Sequence, residues 1–80
     1  MGKYGDNLQA AMAAQLRAER AAQSLTYKEL AELAGLKEQS VMRYLTEKRD
    51  FGASELGAMA DALGISPYEL MRRAVERIEE

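Results

Sequence analysis

The chain predicts an all-α fold of five helices, and three observations carry that prediction. Apolar residues recur at three- and four-residue spacings along most of its length, with no strand-like alternation. Gly35 and Gly64 interrupt that pattern where a helix can end in the left-handed conformation. Thr26 with Glu29, and Ser66 with Pro67 and Glu69, mark two places where a helix begins.

The elements follow in order. Residues 1–6 contain two glycines and no periodicity, and read as a flexible N-terminal arm. From Asn7 to Gln23 the chain is alanine-rich, with Leu8, Met12 and Leu16 four apart, which suits a helix with a narrow apolar stripe capped by Asp6 or Asn7. Thr26 and Glu29 form a capping box for the second helix, with Leu25 and Leu30 as its hydrophobic staple. That helix has room for about two turns before Gly35, after which Leu36 tucks into the corner. The third helix covers residues 37–46, with Val41, Tyr44 and Leu45 inward and Glu38, Gln39, Met42 and Arg43 outward. Asp50-Phe51-Gly52 breaks the pattern before a fourth helix from Ala53 to Leu63, with Leu56, Met59, Ala60 and Leu63 inward. Ser66 caps the fifth helix, Pro67 takes its first position and Glu69 completes the box. Leu70, Met71, Ala74, Val75 and Ile78 form its apolar side.

Eighty residues make one small domain, here residues 7–80. No apolar run approaches the ~20 residues that span a bilayer, and the N-terminus carries no signal-peptide pattern. Cysteine and histidine are both absent, which removes disulfides, zinc sites and the commonest general base. The expectation is a cytoplasmic protein of a bacterium or phage-infected host that is not an enzyme, with no cofactor, no metal, no membrane partner and no small-molecule ligand. The net charge of −2 argues against a broadly basic nucleic-acid surface. Its distribution argues the other way. Residues 37–49 hold Lys37, Arg43, Lys48 and Arg49 against Glu38 and Glu47, while the acidic excess lies beyond residue 50. A corner of two short helices at residues 26–46 presents the outer face of its second helix, commonly to the major groove of DNA.

The residues Leu16-Arg17-x-x-Arg20, Leu25-Thr26, Leu30-Ala31, Gly35-Leu36, Val41, Tyr44 and Ala60-x-x-Leu63-Gly64-Ile65-Ser66 resemble the Cro and lambda-repressor-like helix-turn-helix family, also called XRE. The likeness covers roughly residues 14 to 72. It implies a five-helix lambda-repressor-like DNA-binding domain of a transcriptional regulator, often a phage or prophage repressor, with helix three reading an operator in double-stranded DNA. The base-contacting positions it implies are Glu38, Gln39, Met42 and Arg43. Gln39 can pair bidentately with adenine, Arg43 with guanine, and Glu38 can accept from a cytosine amine. Backbone contacts fall at Tyr27, Lys37, Ser40, Thr46, Lys48 and Arg49. Three positions depart from the family pattern. Tyr27 stands where glutamine is common, Glu47 where a glycine often ends helix three, and Lys37 where a serine usually caps it.

Several residues leave alternatives open. Glu38 is either a base contact or a solvated carboxylate, and Met42 either touches a thymine methyl or packs at an edge. Arg17 and Arg20 read as structural, with Arg20 pairing to Glu29 or Glu32, and Ala31 reads as small because helices cross there. Met71, Val75 and Ile78 either close the core or leave a stripe for a homodimer through helix five. The chain ends mid-helix without a stop signal, as the N-terminal part of a longer repressor would. An antitoxin-like or adaptor module that binds protein on the same fold is the alternative function.

Overall fold

Local chemistry accounts for where most of the helices start and stop. Five are present among the described residues: α1 (Lys3–Ala22), α2 (Tyr27–Ala34), α3 (Glu38–Thr46), α4 (Ala53–Leu63) and α5 (Pro67–Glu79). The computed structural model describes residues 2–46 and 50–80, and no strand occurs among them. The capping box of α2 is complete. The Thr26 hydroxyl accepts from the Glu29 amide at 3.0 Å, and the Glu29 carboxylate accepts from the Thr26 amide at 2.8 Å. At its far end Gly35 takes φ +71°. The Leu36 amide then reaches the Ala31 carbonyl at 2.9 Å and the Gly35 amide the Glu32 carbonyl at 3.3 Å. This bonding satisfies carbonyls that a helix end otherwise leaves open. The end of α4 repeats the geometry, with Gly64 at φ +71°, Ile65 donating to Ala60 at 3.1 Å and Gly64 to Asp61 at 3.0 Å.

Two expectations about helix starts are corrected. Helix α1 begins at Lys3, with Gly2 at the cap position, so Asp6 and Asn7 lie inside it and residues 3–6 are helical rather than a flexible arm. The reason is tertiary. The Tyr4 hydroxyl donates to the Glu79 carboxylate, which ties the first turn of α1 to the end of α5. The Asn7 side chain donates to the Lys3 carbonyl at 2.7 Å instead of capping an amide. At α5, Ser66 accepts from the Glu69 amide at 3.0 Å as expected. The return half of that box is not made. The Glu69 carboxylate is taken by Arg72 at 2.6 Å and Arg73 at 2.8 Å.

The core lies where the helices converge. Leu16, Leu30, Val41, Leu45, Met59 and Leu70 are fully buried, each contributing ~1.5–3 kcal/mol of transfer free energy. Ala31, Ala60 and Ala74 are buried among them. Tyr44 is only half-buried, because its ring lies at the rim and meets Phe51 edge-on at 5.8 Å. On α5, Leu70 and Ala74 close the core while Met71 stays 39% exposed. Val75 and Ile78 are half-buried.

Helix α5 is fastened to α1 by a polar seam as well as by this core. Arg77 Nε donates to Oε1 of the Gln15 side chain at 2.7 Å, and Nε2 of the same side chain donates to Glu19 at 2.8 Å. Arg73 bridges Glu19 at 2.5 Å and Glu69 at 2.8 Å, and Arg72 joins Glu69 to Glu76. Hydrogen bonds from Arg72 and then Arg73 hold the Glu69 carboxyl down at about 2.

Candidate nucleic-acid interface

Helix α3 is a short rod whose two sides have opposite character. Val41 and Leu45, four apart, are fully buried and lock one side into the bundle. Glu38, Gln39, Met42 and Arg43 are all exposed on the other, with Met42 at 40%. The four expected base-reading residues therefore share one open surface. Neither Arg43 nor Lys37 forms an ion pair with another described residue. Glu38 in the first turn complements the positive end of the helix dipole.

The residues expected at the DNA backbone surround that surface unevenly. Lys37 is exposed, and its carbonyl accepts from the Val41 amide at 3.1 Å, which makes it the residue that opens α3. Ser40 is half-buried. Thr46 is exposed, but its hydroxyl proton is committed to the Met42 carbonyl at 2.5 Å. Tyr27 opens α2 and is half-buried, with the Arg20 guanidinium 4.5 Å from its ring centroid. Glu47, Lys48 and Arg49 lie outside the described residues.

The corner is braced from α1, and by different contacts from those expected. Arg20 pairs with neither Glu29 nor Glu32; it donates to the Leu25 carbonyl at 2.5 Å and stacks on Tyr27. Glu29 is already engaged by the Thr26 amide. The Arg20 Nε is buried without a partner among the described residues. Arg17 donates to the Leu45 carbonyl in the last turn of α3. Gln9, which sequence reasoning passed over, bonds both backbone groups of Phe51, donating to the carbonyl at 3.0 Å and accepting from the amide at 3.3 Å. The one local signal was spacing: Gln9, Ala13 and Arg17 fall four apart on one side of α1.

The described residues hold no cluster of histidine, cysteine or carboxylates able to bind a metal, and no helix long and apolar enough to cross a membrane. What the surface can do is donate and accept hydrogen bonds from exposed side chains on one side of a helix, which suits insertion into a groove.

Comparison with known proteins agrees with this geometry. A family model described as Helix-turn-helix matches residues 16–70. The chain is similar to the crystal structure of the clp gene regulator ClgR from Corynebacterium glutamicum, at 25% identity and TM-score 0.83, covering 90% of this chain and 77% of that one. It is similar to the restriction-modification controller protein C.AhdI from Aeromonas hydrophila at 31% identity and TM-score 0.72, covering 84% and 98%. The hypothetical transcription factor NHTF from Neisseria aligns at 28% identity and TM-score 0.79, covering 92% and 85%. No curated protein matches the chain in sequence.

Proposed function

The chain belongs to the XRE-type helix-turn-helix family of DNA-binding transcriptional regulators, not enzymes, and on that premise we propose that it is a repressor of the phage or prophage type that inserts α3 into the major groove of an operator. The observation that carries the reading is the two-sided character of α3. Val41 and Leu45 are fully buried, while Glu38, Gln39, Met42 and Arg43 stand outward together. An α-helix with its side chains is ~10–12 Å across, about the width of the groove it would enter.

In this reading Arg43 grips guanine and Gln39 adenine, each bidentate pair discriminating by ~1–3 kcal/mol against the wrong base. Met42 offers its side chain to a thymine methyl, and Glu38 accepts from a cytosine amine. Lys37, Ser40, Tyr27, Lys48 and Arg49 meet the phosphates. Thr46 joins them only by releasing the Met42 carbonyl. Occupying the operator blocks polymerase or a competing regulator.

The exposed Tyr68 and Met71 with half-buried Val75 supply a homodimer surface on α5. A two-fold dimer would read a palindrome with half-sites one helical turn apart. The test is selection from a random duplex pool with the full chain at low salt. Enrichment of a motif whose affinity falls steeply with salt supports the reading. Absence of enrichment for any duplex, or binding insensitive to salt, overturns it in favour of a protein-binding module. A palindromic motif together with dimer mass in sedimentation supports the α5 interface.

A further inference from the structure

Helix α3 meets α1 through polar contacts as well as through the core, and those contacts gather at one end. Arg17 donates to the Leu45 carbonyl in the last turn of α3. Gln9, two turns earlier on the same side of α1, clamps the backbone of Phe51 through both its amide and its carbonyl. The Phe51 ring in turn packs edge-on against Tyr44 of α3 at 5.8 Å. The C-terminal half of α3 is thus held from α1 once directly and once through an aromatic pair. The opposite end hangs on the turn at Gly35 and Leu36.

We propose that Arg17 is a positioning residue for DNA recognition: without being a base contact, it sets the tilt at which α3 presents Gln39 and Arg43. The inference rests on the operator-reading role assigned to α3. Three physical points support it. A guanidinium bonded to a carbonyl at a helix C-terminus is charge-assisted and favoured by the helix dipole. The contact joins two elements rather than bracing one. And α3 is short, so a rotation of about 5° about its Leu45 end shifts the Glu38 end by about 1 Å over ~10 Å, while functional groups must be held to about 0.5 Å. Arg17 is itself exposed, so its removal leaves the buried core intact.

The experiment compares the unchanged chain with Arg17→Met, which keeps the aliphatic stem, and Arg17→Lys, which keeps charge and a donor. Each is titrated across salt against a duplex selected from a random pool by the unchanged chain, and against a scrambled duplex. Arg17→Met should lower affinity for the selected duplex about tenfold, as mutations that act through a neighbouring element do. Scrambled-duplex affinity and the salt slope should stay unchanged, and Arg17→Lys should restore most of the loss. A uniform loss on both duplexes with the slope reduced by about one unit would make Arg17 a phosphate contact and overturn the inference. So would a change under twofold. Should the unchanged chain select no duplex, the operator reading fails by itself. Amide exchange in the free protein then decides the Arg17 contact. Arg17→Met should speed exchange at Tyr44, Leu45 and Thr46 relative to Leu30 and Leu70, and equal exchange would overturn it.

Discussion

The paired left-handed corners permit a controlled test of what the turn before α3 is for. Gly35 and Gly64 both sit at φ +71°, and a Cβ built on either meets no heavy atom within 4 Å. Substituting alanine therefore costs backbone strain and nothing else. That strain is ~1–2 kcal/mol for an L-residue in this region, offset by ~0.4–1 kcal/mol from restricting the unfolded chain. The net expectation is a loss of about 0.8 kcal/mol at either site from the midpoints of the two terms, and at most ~1.6 kcal/mol. In a domain of this size each kilocalorie lowers Tm by roughly 4–8 °C. Urea unfolding followed by helical circular dichroism measures both variants against the unchanged chain. Equal losses are expected for Gly35→Ala and Gly64→Ala, because conformation and free space match. Binding should separate them. Only Gly35 lies between the two helices of the corner, so Gly35→Ala alone should also weaken selected DNA at a temperature where both variants are folded. A Gly35→Ala protein as stable as the unchanged chain would refute the strain argument. Equal DNA affinity for the two variants would refute the role assigned to the corner.

Four further outcomes are expected. Arg43→Ala should cost ~1–3 kcal/mol at its cognate base and relax preference there, read by binding to duplexes varied at each position. Lys37→Ala should weaken all duplexes alike and reduce the salt slope by about one unit, measured by titration at several salt concentrations. Ala31→Leu, at a site only 2% exposed, should destabilise by ~1–3 kcal/mol through overpacking, and a urea midpoint unchanged from wild type would deny a close approach there. Glu69 titrates at about 2 against an ordinary 4.5 because of Arg72 and then Arg73. A depressed carboxylate adds stability that is complete above 4.5 and drains away as pH falls toward 2. The Tm of the unchanged chain should therefore drop further over that window than that of Glu69→Gln, and parallel curves would contradict the pairing.

Features decided within one or two turns were legible in the sequence. Thr26 with Glu29, Gly35 with Leu36, Gly64 and the Ser66-Pro67 start all lie where local bonding predicts. The inward set of α4 is buried as its spacing implies, and the outward set of α3 is exposed. What escaped involves partners far apart in the chain. The early start of α1 depends on Tyr4 meeting Glu79. The box at Ser66 is half-made because arginines outbid an amide for Glu69, one of them also engaged by Glu19. Gln9 found Phe51 across the fold. Arg20 has carboxylates in plausible reach by sequence count, yet stacks on a ring and bonds a carbonyl. Periodicity shows which side of a helix turns inward; it carries no information on which polar tip meets which.

The ladder of side chains running Arg77, Gln15, Glu19, Arg73, Glu69, Arg72 and Glu76 behaves as a key cut for one lock position. Leucines along the same line would adhere at several offsets, since apolar contact has no direction. Here a slide of α5 by a single turn against α1 would break the two bonds that cross between them, Arg77 to Gln15 and Arg73 to Glu19. Whatever the last helix offers to a second molecule is consequently delivered at one fixed height and bearing relative to α3.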